Sequence, residues 1–325
     1  MSQVEQMSME FTEIRGARAL RLLSRLVPLR HRLFPLVRSY SAKPGLLMVP
    51  WGDHKLCFPS NWPLFVQTGL IFDGLNINPE FLLLRKILPE CSEGLIVDVG
   101  AHIGCYVLEI RSHSKLPIVA YEPAPAIVDL LKANAIVNGL KDVEIRGVAC
   151  GDQKGSISLD ADVVSSISRP GESQSVVPNG DNANKTQVPV VTLDEELSGE
   201  ARVSLLKIDC EGFEYHVLSG AREILRSHRP HLLIELHPKY IRQYGFTAEN
   251  LCELLRPLYD LEFYDFSLSR KSGRIMRVLG RYAPSRNHRF ASDKDMLSEI
   301  SREPIPDQIF IVGRPKKDTT PGGTV

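Results

Sequence analysis

The chain of 325 residues lacks net charge, paired cysteines and long apolar runs, and each absence narrows the class of protein. Its 39 basic and 39 acidic side chains cancel, so the whole protein offers no electrostatic surface for nucleic acid. The six cysteines form no Cys-x-x-Cys pair, which argues against structural zinc and against a small disulfide scaffold. No apolar run approaches the roughly 20 residues that span a bilayer. We therefore expect an enzyme-sized globular protein with reduced thiols in the cytoplasm.

The Gly-x-Gly-x-x-Gly motif of dinucleotide-binding proteins is also missing. In its place, residues 96–104 read Ile-Val-Asp-Val-Gly-Ala-His-Ile-Gly. The second glycine would fall at His102, whose side chain would crowd a pyrophosphate. Gly100 and Gly104 let a ligand approach the backbone closely, and Asp98 supplies an acceptor at the strand end. This turn favours a nucleotide-like cofactor without phosphates, such as S-adenosylmethionine, over a turn that serves packing alone.

Short apolar runs alternate with helical patterns along most of the chain, which predicts an α/β fold with a mainly parallel sheet covered on both faces. Five runs have the length of buried strands: 95–99, 118–121, 143–149, 203–208 and 231–236. Between the second and third, apolar residues recur at helical spacing from Ile127, and Gly139 is placed to end that helix. Two later strands, 261–266 and 308–312, flank a basic insert at 270–289.

Ionisable residues follow these predicted strands at the edge where cofactors bind in open α/β sheets. Glu122 ends the second strand about twenty residues after the glycine turn, where an acid accepts from both ribose hydroxyls. Asp152 follows the third strand and is placed to accept from an adenine amine, with a role in shaping a turn as the alternative. Asp209 and Glu211 follow the fourth strand, and His237 follows the fifth. We predict that these side chains meet at one site.

Two of these stretches resemble the motifs of FkbM-type methyltransferases. They are Leu-Lys-Ile-Asp-Cys-Glu-Gly-Phe-Glu at 206–214 and Ile-Val-Asp-Val-Gly-Ala-His-Ile-Gly-Cys-Tyr at 96–106. The similarity extends over residues 70–270 and includes the segments 121–123, 190–194 and 233–237 and the pair Asn134 and Asn138. It implies a Rossmann-like class I methyltransferase fold, S-adenosylmethionine as methyl donor, and O-methylation of a saccharide, lipid-linked glycan or natural product. The chain departs from the family at His102, where asparagine is commoner, and at Cys210, often valine.

Asp209, Glu211 and His237 are the predicted catalytic residues. Holding donor and acceptor together supplies most of the acceleration of methyl transfer, and a base adds about 10²- to 10⁴-fold. We expect His237, with an unperturbed pKa of about 6.5, to be the base and Asp209 to position the acceptor and contact the cofactor. Mg²⁺ on the two carboxylates is the alternative. Because no third ligand is evident, we expect no metal.

The neighbours of the motif carry further expectations. Lys207 is predicted to pair with an acid, whereas Glu214 and His216 are predicted to lie on a solvated face of the next helix. Gly100→Val is expected to abolish cofactor binding by filling the space above the turn. The polar stretch 165–187 is predicted to be a surface loop placed where a lid would close.

Three parts are predicted along the chain: a basic amphipathic extension at 1–45, the FkbM-like methyltransferase domain at 46–315 and a flexible tail at 316–325. The extension carries one helical stripe of arginines, formed by Arg15, Arg18, Arg21 and Arg25. We expect it to dock on its own domain, and the alternative is a peripheral contact with anionic lipid.

The sequence is compatible with three functions. The leading one is an S-adenosylmethionine-dependent O-methyltransferase whose partner is a hydroxylated small molecule or glycan. The second is a catalytically inactive methyltransferase-like binding module at a membrane surface. The third, methylation of nitrogen on nucleic acid, is disfavoured by the neutral charge and by the absence of an Asn/Asp-Pro-Pro-Tyr/Phe motif. The oligomeric state is left open.

Overall fold

The computed structural model describes residues 11–14, 17–24, 33–42, 44–72, 80–160, 185–265, 288–301, 305–306 and 308–317. Residues 165–184 of the predicted loop, 270–287 of the basic insert and 318–325 of the predicted tail lie outside the described residues. So do Arg15 and Arg25 of the arginine stripe.

Strands and helices alternate through the middle of the chain, as the apolar pattern predicts. The strands are β1 (Phe11–Glu13), β2 (Leu46–Trp51), β3 (His54–Pro59), β4 (Leu95–Val99), β5 (Ile118–Tyr121), β6 (Val143–Arg146), β7 (Ala149–Cys150), β8 (Gly155–Asp160), β9 (Lys185–Val191), β10 (Val203–Ile208), β11 (His231–Leu236), β12 (Tyr259–Asp265), β13 (His288–Arg289) and β14 (Ile309–Pro315). The α-helices are α1 (Ala17–Ser24), α2 (Phe34–Ser41), α3 (Leu64–Phe72), α4 (Phe81–Ile87), α5 (Cys105–His113), α6 (Pro125–Val137), α7 (Leu193–Glu196), α8 (Glu214–Ser219), α9 (Arg222–Ser227), α10 (Ala248–Leu255) and α11 (Asp293–Ile300). Among the described residues, no helix is both long enough and apolar enough to cross a bilayer.

A central sheet of eight strands has the order β13-β12-β14-β11-β10-β4-β5-β6. Five neighbouring strands of this sheet run parallel, namely β6, β5, β4, β10 and β11. By contrast, β14 is antiparallel to both β11 and β12. The chain leaves β4 towards β5 and β6 and later returns to the other side of β4 as β10. In open α/β sheets a ligand crevice forms where the strand order reverses in this way. The carboxyl ends of β4 and β10 therefore frame the candidate site.

Both faces of this sheet are buried, because alternate residues of each strand point to opposite sides. Ile96 packs with α5 and α6 in one apolar core, whereas Leu95, Val97 and Val99 pack with α8, α9 and α10 in a second core. Burial on both faces explains why the parallel strands read as continuous apolar runs rather than as alternating ones. The predicted fold, a sheet with helices on both faces, is confirmed.

The third predicted strand, 143–149, is wrong in its second half. The strand that pairs with β5 ends at Arg146, and the run is interrupted by Gly147, a residue that weakens strand interiors. Residues 149–150 join a separate three-stranded sheet, β7-β9-β8. The two other strands of that sheet, β8 and β9, pair in antiparallel fashion with each other, and β7 pairs with β9 in parallel.

Apolar residues recur at helical spacing from Val217 to Leu225, but they form two short helices instead of one. Gly220 separates α8 from α9, and a Cβ atom on this residue would lie 1.9 Å from the carbonyl oxygen of Gly151. The backbone of this segment therefore packs directly on the loop that follows β7. By contrast, α6 starts at its proline and is followed by Gly139 in the left-handed conformation, φ 64°, as predicted.

A small sheet, β1-β2-β3, lies beside the central one and includes part of the N-terminal extension. β1 pairs with β2 in parallel, and α1 buries Ala17 and Leu20 while Arg18 is exposed. Asn134 of α6 joins this sheet to the glycine turn: its side chain bonds the backbone of Cys57 and donates to the carbonyl oxygen of Ile103. The position of the turn therefore depends on the small sheet.

Candidate active site

The glycine turn after β4 is held against the end of β10. Gly100 has φ 78°, and a Cβ atom on it would lie 1.8 Å from the carbonyl oxygen of Asp209. The amide of Asp209 donates to the carbonyl oxygen of Val99 at 3.0 Å. Gly100 is thus required by the contact between two backbone segments. The reason given for the effect of Gly100→Val was wrong, because the new side chain would displace protein backbone before it met a ligand.

His102 and Glu122 contact each other across the end of β4 and β5. The amide of His102 donates to Oε2 of Glu122 at 3.0 Å, and the amide of Ala124 donates to Oε1 at 3.0 Å. The imidazole ring of His102 stacks on Trp62 with the ring centroids 6.0 Å apart. Burial lowers the pKa of His102 to about 4, so the ring is neutral at physiological pH. Burial also raises the pKa of the Glu122 carboxyl to about 7.

Asp98 and Lys207 form a buried ion pair beneath the turn. Their side chains are 0% and 2% exposed, and Lys207 Nζ lies 3.0 Å from Oδ1 of Asp98. The same ammonium donates to the carbonyl oxygen of Gly100 at 3.1 Å and lies 4.4 Å from the ring centroid of Tyr106. It also lies 3.6 Å from Oδ2 of Asp209. The predicted pairing of Lys207 with an acid is therefore present, and Asp98 acts on the turn through that lysine.

His237 lies among three carboxylates at the end of β11. Its Nδ1 is 3.0 Å from Oε1 of Glu214, and its Nε2 is 3.5 Å from Glu211 and 3.6 Å from Glu235. The expectation that Glu214 faces solvent is wrong, since its side chain is 0% exposed and also accepts from the amide of Gly212 at 2.9 Å. Sequence reasoning missed this residue because its partner, His237, is 23 positions away.

These carboxylates change the acid–base behaviour of His237. Burial alone would lower its pKa, but the hydrogen bond that Nδ1 donates to Glu214 and the charges of Glu211, Glu214 and Glu235 outweigh it and hold the pKa well above the usual range. The direction of this shift argues against the predicted role of His237 as the base. His237 is a cation near neutral pH and is poorly suited to take a proton from a hydroxyl.

The three predicted catalytic side chains come together. Asp209, Glu211 and His237 each offer one ligand atom, and these atoms lie within 4.8 Å of one another. The side chains of Asp209 and Glu211 are 25% and 48% exposed, so both are accessible from the crevice. Glu211 adopts a left-handed backbone conformation with φ 51°, which is uncommon for a residue with a side chain and is typical of functional turns.

Asp152 belongs to a different group of side chains. Its Oδ1 lies 3.2 Å from Nδ1 of His216, and its side chain is 41% exposed. His216 stacks on Phe213 with a centroid distance of 4.2 Å and meets Phe246 edge-on at 5.0 Å. The predicted solvated position of His216 is thus wrong, because packing against aromatic rings leaves its side chain only 19% exposed. Contact of Asp152 with an adenine stays a prediction.

Fold and site together define an α/β protein with a crevice at the switch point of its sheet. The sequence profile of the methyltransferase FkbM domain matches residues 98–266, over half of the chain and all of the predicted site residues. The chain belongs to the FkbM methyltransferase family. The resemblance read from its motifs is thereby confirmed.

Named relatives agree with this family. The chain is 26% identical over 151 residues to Methyltransferase 1 of Beauveria bassiana (strain ARSEF 2860), and the match covers 41% of this chain and 61% of that protein. It is 29% identical over 164 residues to Methyltransferase sdnD of Sordaria araneosa, covering 41% of this chain and 62% of the relative. The matches thus span about three fifths of these relatives. The crystal structure of methyltransferase FkbM from Methylobacillus flagellatus KT aligns with 16% identity and a TM-score of 0.36, over 71% of this chain and 54% of that one.

Proposed function

We propose that this chain is an S-adenosylmethionine-dependent methyltransferase that acts on a hydroxyl oxygen of a small molecule or glycan. The observation that carries the proposal is the position of Asp209. Its backbone contacts the glycine turn at Val99 and Gly100, while its carboxylate lies with Glu211 and His237. Asp209 therefore belongs both to the residues predicted to hold the cofactor and to those predicted to hold the acceptor.

The donor and acceptor atoms at the turn fit such a cofactor. Each oxygen of the Glu122 carboxylate accepts from one backbone amide, that of Ala124 or that of His102, and so keeps a lone pair for a hydroxyl donor. Glu122 is 7% exposed, so a ribose hydroxyl that reached it would be shielded from water. We assign Glu122, His102 and the backbone of the glycine turn to hold the nucleoside, with Asp209 facing the opposite end.

The bound cofactor would supply an electrophilic methyl group on a positively charged sulfur. The chain's part is to hold an acceptor oxygen in line with that methyl group and to exclude water. The carboxylates of Asp209 and Glu211 attract the hydroxyl hydrogen and orient the oxygen lone pair. His237 does not act as base in this proposal; as a cation anchored by Glu214, it fixes Glu211. Loss of a positioned carboxylate is expected to slow the transfer about 10²- to 10⁴-fold.

Calorimetric titration with S-adenosylmethionine and S-adenosylhomocysteine, with NAD as a control, tests cofactor choice. We expect micromolar binding of the first two only. Glu122→Gln removes the negative charge that ribose hydroxyls donate to and is expected to weaken binding about tenfold or more. Glu144→Gln is the matched control, because that glutamate lies on β6 with its side chain 56% exposed and pairs with Arg146. An equal loss of cofactor affinity in both variants would show that Glu122 does not bind the cofactor.

Transfer of a labelled methyl group to a panel of hydroxylated acceptors tests the reaction. Asp209→Asn is expected to reduce turnover at least about 10²-fold while S-adenosylhomocysteine still binds. Methylation of amine or thiol acceptors alone would refute the choice of oxygen. Cofactor binding without transfer to any acceptor would favour the alternative of an inactive binding module.

A further inference from the structure

The cluster at the crevice contains more carboxyl groups than cationic groups. Its ion pairs join two cations to five carboxylates: Lys207 with Asp98 and Asp209, and His237 with Glu211, Glu214 and Glu235. Four of these seven side chains are at most 3% exposed. Charge that is buried without compensation is costly, and proteins pair such carboxylates or use them to bind metal ions.

Glu235 is a buried carboxyl group of this cluster and has no hydrogen-bond partner among the described residues. Its side chain is 9% exposed, and among the described residues its only polar contact is with Nε2 of His237 at 3.6 Å. That separation is too long for a hydrogen bond. The same distance shows that Glu235, on β11, and His237, directly after it, point into the same space. The buried carboxylate therefore lacks a donor beside the nitrogen that faces Glu211.

The orientation of His237 is that of a metal ligand. Glu214 holds Nδ1 at 3.0 Å and is itself fixed by the amide of Gly212, so Nε2 is the nitrogen left to face the crevice. A carboxylate behind a histidine in this way fixes the ring and raises its basicity towards a metal. His237 therefore supplies the third ligand, a role that the sequence did not indicate for it.

We propose that Asp209, Glu211 and His237 bind a divalent metal ion of the first transition row, which takes the place of the proton on Nε2 of His237, and this proton is released to solvent. Two ligand atoms about 2.1 Å from one ion can be at most about 4.2 Å apart. That separation holds for ligands on opposite sides of the ion, and neighbouring ligands lie about 3.0 Å apart. The observed atoms lie within 4.8 Å of one another, so movements of about 1–2 Å by the exposed carboxylates would complete the site. Two carboxylates and one imidazole form a mixed oxygen and nitrogen set that suits Mn²⁺ or Fe²⁺. This inference replaces our expectation that the site holds no metal.

The ion would act on the acceptor. Three protein ligands leave open positions in an octahedral shell, which an acceptor with two adjacent oxygen atoms would fill. A bound hydroxyl would lose its proton to water more easily, its oxygen lone pair would form the bond to the methyl carbon, and the electrons of the broken carbon–sulfur bond would remain on sulfur. This role rests on the proposed function, whereas metal binding does not. Asp209 and Glu211 would then act on the hydroxyl through the ion.

Titration of the full chain with Mn²⁺ after removal of metals with EDTA tests the site, with the electron paramagnetic resonance signal of free Mn²⁺ as the readout. We expect a single ion to bind and Glu211→Gln to weaken binding at least about tenfold. Glu211 is half-exposed, so this isosteric change should leave the fold intact, which thermal unfolding in EDTA would verify.

Glu90→Gln is the matched control for this titration. Glu90 pairs with His231 at 3.1 Å, at the opposite end of the strand that precedes His237, and we expect Mn²⁺ affinity to stay within about twofold of the parent. Failure of the parent protein to bind Mn²⁺ at about 1 mM, or equal binding by Glu211→Gln, would overturn the metal site. Titration of S-adenosylhomocysteine in EDTA separates the two proposals: cofactor binding without Mn²⁺ binding overturns the metal site alone, and the reverse overturns the proposed function.

Discussion

Asn134 is expected to contribute more to stability than Asn138, although Asn138 follows it by one turn as the C-cap residue of α6 and bonds the same strand. Asn134 is 1% exposed and makes three hydrogen bonds: it accepts from the amide of Cys57 at 2.6 Å and donates to the carbonyl oxygens of Cys57 at 3.0 Å and Ile103 at 2.9 Å. Asn138 makes the same bidentate contact with Lys55 at 2.8 and 2.7 Å and also donates to the carbonyl oxygen of Asn134 at 2.8 Å, but the contact with Lys55 is exposed to solvent.

The difference follows from what replaces each side chain. Three hydrogen bonds at about 1 kcal/mol each give about 3 kcal/mol for Asn134→Ala, and buried partners left without a donor or acceptor add to this cost. Water can satisfy the exposed backbone of Lys55, so Asn138→Ala is expected to cost about 1 kcal/mol or less. The higher helix propensity of alanine returns about 0.5 kcal/mol in Asn134→Ala only, because Asn138 is the C-cap residue of α6, and this does not reverse the expected order.

Urea unfolding monitored by tryptophan fluorescence measures both costs. The two tryptophans, Trp51 and Trp62, are 1% and 3% exposed. Trp51 is the last residue of β2 and Trp62 follows β3, so both are close to the contact being tested. We also expect Asn134→Ala to weaken S-adenosylhomocysteine binding, since Ile103 belongs to the glycine turn. Equal destabilisation by the two substitutions, or a cost below about 1 kcal/mol for Asn134→Ala, would refute the reasoning.

Three further predictions concern the turn and its supports. Gly100→Ala should prevent stable folding because its Cβ atom meets a backbone carbonyl at 1.8 Å, whereas Gly139→Ala, with nothing within 4 Å, should cost only about 1 kcal/mol in a thermal melt. Lys207→Met should cost about 3–5 kcal/mol by leaving Asp98 buried without its cation, and the double variant with Asp98→Asn should recover part of this loss in urea unfolding. Glu122, whose pKa is raised to about 7, is protonated in the folded state between pH 4.5 and 7 and ionised in the unfolded state, so its contribution to stability falls as pH rises through that window. Cofactor affinity should rise over the same window, because ribose hydroxyls donate more strongly to the carboxylate; calorimetry at pH 6 and 8 would show no such rise in Glu122→Gln.

The sequence predicted the parallel part of the sheet well because burial on both faces leaves a plain local signal. β4, β5, β10 and β11 each appear as an apolar run with the same bounds in the structure. The failures arose where one glycine changes the path of the chain. Gly147 ends β6 early, and Gly220 divides a helical pattern by packing on another loop. Neither contact can be read from residues nearby in sequence.

At the site, too, the sequence predicted what the strand pattern determines and missed what depends on contacts between residues far apart in the chain. Strand order placed Asp209, Glu211 and His237 at one edge, and the structure brings them together. The burial of Glu214 and the raised pKa of His237 depend on a contact between β11 and α8, which no local pattern encodes. The requirement for Gly100 was predicted, but its physical cause was misread.

The position of β14 sets the order in which the sheet can be completed during synthesis. This strand lies between β11 and β12, although it is made 44 residues after β12 ends. At about 5–20 residues per second the ribosome needs roughly 2–9 s to produce that interval. Until then β11 and β12 expose unpaired edges that favour aggregation. The segment 98–266, produced alone, would keep those edges permanently, so recombinant fragments of this protein should extend through residue 315.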